Sequence, residues 1–168
     1  MSWTWIAGFL APAIIMALVL VTRGPLAPTG FYAGTQGAVH LALVSKEGRL
    51  RDGAAVRVGE ALSIQITTPK PGFLLVLGLD ENRALTAYEP PRGTTSIPVS
   101  RDEDVTLPGK LVVAGAPGRE RVYALFTEHP IAVEDVATAV HAAHTNTADI
   151  ELPVHGAQSS VQLEKVVR

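Results

Sequence analysis

Apolar and polar residues are spread very unevenly along this chain. Between Met1 and Thr22 there is no Asp, Glu, Lys or Arg, so the 14 basic and 16 acidic residues all lie beyond it. The run Trp3–Val21 is almost wholly apolar. As a helix it reaches about 28 Å, close to the roughly 30 Å hydrocarbon core of a bilayer. The pattern predicts a single transmembrane helix over residues 1–22. Trp3 and Trp5 suit an interfacial aromatic belt at one end, and Arg23 marks the other. Pro12 sits mid-span, where lipid tolerates it if the freed carbonyl finds another partner. Gly8 and Ala11 share a face suited to helix contact. The apolar core exceeds the about 7–15 residues of a signal peptide, no basic side chain precedes it, and no small-x-small cleavage site follows it. A retained signal anchor is the expectation.

Residues 23–36, rich in Pro, Gly and Thr, read as a linker, and residues 37–168 as one domain. Beyond the linker the pattern turns to period two. Ala38–Val44 and Ala61–Thr67 alternate as half-buried strands; in the second, Leu62, Ile64 and Ile66 point one way. Phe73–Leu79 is apolar on both faces and reads as a central strand covered on both sides. Asp80–Arg83 reads as a hairpin turn with Asn82 in the left-handed conformation, returning through Ala84–Tyr88. Short strands follow at Ser96–Val99, Asp104–Leu107, Leu111–Ala114 and Arg121–Thr127. In the last of these, Val122, Ala124 and Phe126 share one face. Val133, Val136, Ala137, Val140 and His144 form a helical stripe. His129-Pro130 opens that helix, Glu134 and Asp135 favour its first turn, and it ends near His144–Asn146. Ala148–Val154 and Ser160–Val167 are read as closing strands, the last one beside the first, which would return the C-terminus towards the membrane-proximal end. Fifteen glycines and twelve prolines punctuate these runs. The expected fold is mainly β: an antiparallel β-sandwich, immunoglobulin-like in general layout, with one helix in its C-terminal half.

Composition removes several chemistries. There is no cysteine, so disulfides, thiolate metal sites and cysteine nucleophiles are excluded. A formal net charge of −2 without basic runs gives no electrostatic case for nucleic acid. No Gly-x-Ser-x-Gly elbow occurs, and Gly115–Gly118 lacks the Lys-Ser/Thr of a phosphate loop. The acidic pairs Asp80-Glu81 and Asp102-Glu-Asp104 fall in predicted turns and read as solvated. Three residues are weak metal candidates: His141 and His144 at i, i+3 on the predicted helix, with Asp149 to complete a site. The spacing departs from the i, i+4 pair with a supporting Glu that helical zinc motifs use. No cofactor, metal or catalytic residue is therefore assigned.

The stretches Pro71–Asp80, Arg83–Pro90, Val105–Leu111 and Gly118–Phe126 resemble, in order and spacing, a bacterial domain of unknown function. That domain follows a single transmembrane helix in envelope-associated proteins, some of them similar to zinc-finger anti-sigma factors. The resemblance spans roughly residues 39–140 and the anchor. It implies an extracytoplasmic domain, against the positive-inside vote of Arg23, and carries no catalytic residues. Only Met1 and Ser2 precede the helix here, with no zinc-binding segment. A signal inward then needs a separate membrane partner, or a domain upstream of Met1.

The sequence thus leads to three expectations. The first is a non-enzymatic, membrane-anchored extracytoplasmic binding module that senses or scaffolds in an envelope regulatory system. It contacts lipid through residues 3–21 and has a membrane or envelope protein as partner. The second is a structural subunit of a larger envelope complex. The third, a hydrolase or metal-binding protein, lacks a visible nucleophile or ligand cluster.

Overall fold

The computed structural model describes residues 39–91, 93–100 and 102–167, with backbone alone for 102–104. These belong to one compact unit. The anchor residues Trp3, Trp5, Gly8, Pro12 and Arg23 and the linker 23–36 lie outside the described residues. Among those described, no helix is long and apolar enough to cross a membrane.

In chain order the elements are β1 (His40–Ser45), β2 (Gly48–Arg49), β3 (Ala54–Arg57), β4 (Ala61–Thr68), β5 (Gly72–Asp80), β6 (Leu85–Glu89), β7 (Ile97–Val99), β8 (Asp102–Val112), β9 (Gly118–Thr127), α1 (Val133–Ala142) and β10 (Ala157–Val166). They form two sheets. One has the order β2-β1-β4-β8; the other has β3-β10-β9-β5-β6, with β7 also paired to β5. The alternation of Leu62, Ile64 and Ile66 turns one face of the first sheet inward. Leu74, Val76, Val122, Ala124 and Phe126 of the second sheet meet it in a shared core. The opposite face of the second sheet carries Leu75, Leu77, Leu79, Tyr123 and Leu125, which pack under Val136 and Val140 of α1 and under Leu152. That explains why β5 is apolar on both faces: it feeds two cores.

Several expectations are corrected. The region predicted as two strands at Asp104–Leu107 and Leu111–Ala114 is one strand, β8. Its register against β4 slips between Gln65↔Thr106 and Ser63↔Lys110, leaving Leu107, Pro108 and Gly109 in a bulge. β2 and β3 were not anticipated, and β3 runs parallel to β10, so the sheets are not wholly antiparallel. The helix begins at Val133 with Ala132 as its N-cap, later than His129-Pro130, and His144 is exposed beyond its end. In the hairpin turn Arg83, not Asn82, takes the left-handed conformation, with φ 64°. Its amide closes the turn on the Asp80 carbonyl at 2.9 Å, and its side chain is drawn to α1.

Ala148–Val154 forms no strand. Side chains of β9 and β10 satisfy the backbone there instead of a ladder. Arg121 Nε donates to the Thr147 carbonyl at 2.8 Å and the Tyr123 hydroxyl to the Asp149 carbonyl at 2.6 Å. The Ser160 hydroxyl donates to the Ile150 carbonyl at 2.9 Å. The Gln158 amide accepts from Leu152 N at 2.8 Å and donates to Leu152 O at 3.0 Å. The last strand pairs with β9 and β3, not β1. It touches β1 through Leu41 N, which donates to Ser159 Oγ at 3.1 Å. β10 starts opposite Phe126 at the end where β1 begins and runs away from it, so the C-terminus leaves at the far end of the domain.

Candidate functional site

At the end where β1 begins, the two sheets part. β1 and β4 meet there at His40↔Thr67, β4 and β8 at Thr68↔Asp102, and β5 and β7 at Gly72↔Val99. The chain passes from one sheet to the other between β7 and β8, and a cleft of about 260 Å³ opens beneath that crossing. Ile66 and Leu74, both buried, line it from the two sheets. Ile97 and Val99 line it from β7, and Val105 and Leu107 from β8. The hydroxyl of Thr68 is spent within the wall, donating to the Ser100 carbonyl at 3.2 Å. Among the described residues that line the cleft, none carries a charge. Such a lining can take an apolar group from water.

The far end of the same core holds the opposite chemistry. Glu120 and Lys165 lie on the inward faces of β9 and β10, where period two also places Val122 and Leu163. Lys165 Nζ is 3.0 Å from Glu120 Oε2 and donates to the Ala114 carbonyl at 3.1 Å. Tyr88 donates its hydroxyl to Glu120 Oε1. A bulge in β6 sets up this contact. Val76 pairs with Glu89 and Leu77 with Ala87, so Tyr88 is the extra residue, and both Tyr88 and Glu89 turn towards the inter-sheet core. Gly78 gives Tyr88 and Glu120 room: a Cβ there would lie 2.2 Å from Glu120 Oε1 and 2.5 Å from the Tyr88 ring. Burial, with the Glu120 charge and hydrogen bond adding to it, pushes the Tyr88 phenol well above its ordinary range. Burial likewise raises the Glu89 carboxyl, whose Oε2 lies against Gly109 in the β8 bulge. Among the described residues no buried side-chain polar atom lacks a partner. Tyr88, Glu120 and Lys165 are thus bonded to one another.

On the helix side, Arg83 extends its guanidinium to the C-terminal end of α1. It donates to the carbonyls of His141 at 3.0 Å, Thr145 at 3.2 Å and Val140 at 3.4 Å. Buried Arg121 holds Ser160 Oγ at 3.2 Å and Gln162 Oε1 at 2.7 Å besides Thr147. Burial is the main influence on the Tyr123 phenol and, despite the opposing Arg121 charge, it is pushed up to about 12.

The metal candidates serve local structure. His141 is exposed on the last turn of α1. His144, at φ 55°, has its Nδ1 3.3 Å from Arg83 Nη1. Asp149 Oδ2 accepts from Asn146 N at 2.8 Å, closing a turn. Among the described residues no group of three or more His, Cys, Asp or Glu side chains stands close enough to share a metal ion. Of the acidic pairs, Asp80 accepts from Ala84 N at 2.8 Å. Glu81 meets Arg119 at 2.8 Å, and that hydrogen bond holds its carboxyl below the usual range. Sequence reasoning passed over Tyr88, Glu89, Glu120, Arg121 and Lys165. For Glu120 and Lys165 a signal existed: each is charged at an inward position of an otherwise apolar strand face.

Residues 55–130 match the family model described as a domain of unknown function, DUF4384. The DUF4384 stretch runs from β3 through the end of β9, so every residue lining the cleft falls inside it, as do Tyr88, Glu89 and Glu120. Lys165, α1 and β10 lie outside. The expected resemblance to a domain of unknown function is met over this narrower span; the DUF4384 match says nothing of a membrane helix or of anti-sigma factors. No curated protein and no solved structure matches the chain.

Proposed function

We propose that this chain is a membrane-tethered binding module whose domain lies outside the cytoplasm and takes an apolar group in the cleft between β7 and β8. The two-sheet domain then serves as a sandwich of general immunoglobulin type that holds the cleft open, in an envelope sensing or scaffolding role. The observation that carries this reading is the cleft itself. It is an opening between the two sheets, lined mainly by aliphatic side chains, within the stretch matched by DUF4384. Charge-free residues 1–22 supply the tether. The cluster of Glu120, Lys165 and Tyr88 supports a binding role over an enzymatic one, because its charges are paired within it.

A reporter active only outside the cytoplasm, fused after Arg168, tests the topology. The C-terminus leaves at the end away from the start of β1, so the fusion does not crowd the cleft. Activity is expected. A silent reporter on a well-expressed fusion reverses the orientation, and recovery of the intact chain in the soluble fraction overturns the tether.

A further inference from the structure

We infer that the group taken by the cleft is the end of an acyl chain of a membrane phospholipid. The inference rests on the tethered-module reading and names its ligand. Residues 23–39 separate the charge-free stretch from β1, and fully extended they span at most roughly 60 Å. β1 enters the domain beside Thr67, and the neighbouring Thr68 lines the cleft. The chain that follows the charge-free stretch therefore enters the domain beside the cleft.

The walls select the ligand class. Ile66, Leu74, Ile97, Val99, Val105 and Leu107 are all branched aliphatics, and among the described lining residues there is no aromatic to stack a ring and no charge to pair an ion. About 260 Å³ is below the roughly 300 Å³ at which pockets for drug-sized ligands begin. It suits the terminal methylenes of a chain rather than a whole lipid. An apolar peptide is the rival occupant, and the edges disfavour it. A bound strand needs a run of free N–H and C=O groups. β7 is three residues long with Pro98 at its centre, and β8 is broken by the bulge at Pro108 and Gly109. Proline on a strand withholds the donor that such pairing uses.

The test uses the full chain in phospholipid vesicles that include a phosphatidylcholine with a diazirine near the end of one acyl chain. After irradiation and trypsin digestion, label is expected on the peptides covering residues 93–101 and 102–110, besides the N-terminal stretch. Val99→Trp, which plugs the cleft, should abolish the domain label while the N-terminal label persists; thermal unfolding checks its fold, and Val99→Phe replaces it should it not fold. Label confined to the N-terminal stretch, or domain label unchanged in the plugged variant, overturns the acyl-chain assignment and leaves the tethered module standing. Label on the same domain peptides from a diazirine-bearing aliphatic-rich peptide in the absence of vesicles, with none from the lipid probe, reassigns the cleft to peptides and also overturns it. A chain that fails to associate with vesicles sinks the tethered reading itself.

Discussion

Lys165 Nζ and Glu120 Oε2 stand 3.0 Å apart between the two sheets, with both side chains no more than 5% exposed. A buried ion pair of this kind gains less over apolar packing than its distance suggests, because both charges were removed from water. Removing one partner is another matter, since it strands the other. Lys165→Met should cost about 3–5 kcal/mol, leaving Glu120 with Tyr88 alone. The double variant Lys165→Met/Glu120→Leu should lose much less than the two single losses summed. Urea unfolding of all three variants reads this, and strict additivity would show that the contact carries no coupling.

Gly78→Ala attacks the same cluster through its backbone. The new methyl would collide with Glu120 Oε1 and the Tyr88 ring. Overpacking of this sort costs about 1–3 kcal/mol, so the variant should unfold at lower urea. Added to Tyr88→Phe, the change should do less harm than alone, if the phenol contact is what it breaks.

Glu89 gives a pH signature. Its folded-state pKa lies above the unfolded value because of burial, so the folded state binds the proton more tightly. Stability then falls as pH rises from the unfolded value, about 4.3, through the folded one. Glu89→Gln should raise the melting temperature at pH 7, and the gain should disappear below pH ~4, where both states are protonated. An equal gain at every pH would assign the effect to something other than the charge.

Arg83 ties the hairpin turn to the helix. Arg83→Ala keeps a side chain at φ 64° and removes the donors to the α1 carbonyls. Arg83→Gly removes the same donors and relieves the left-handed backbone, a difference of about 1 kcal/mol. Both variants should be less stable than the parent, with the glycine variant the better of the two. Amide exchange in α1 should quicken in both; unchanged exchange would show that the guanidinium does not hold the helix end.

The sequence by itself determined the strands that face a core. Leu62, Ile64 and Ile66 alternate, Phe73–Leu79 is apolar throughout, and Val122, Ala124 and Phe126 share a face; period two made each legible, as period 3.6 did for Val136 and Val140. These are local patterns, and local patterns report which faces leave water. Tertiary structure decided what those faces meet. Ala148–Val154 alternates like a strand, yet Tyr123, Gln158 and Ser160 bond its backbone from strands before and after it, so no ladder forms. Arg83, not Asn82, takes the left-handed position because Asp80 and Ala84 close a three-residue loop whose last residue is left-handed, and its guanidinium then reaches helix carbonyls more than fifty residues away. The cleft was not legible at all. It arises where β7 and β8 leave different sheets, and the parting of two surfaces depends on which strands pair. Nor did the inward charges of Glu120 and Lys165 reveal each other, because the parity of each strand gives a face but not the neighbour across it.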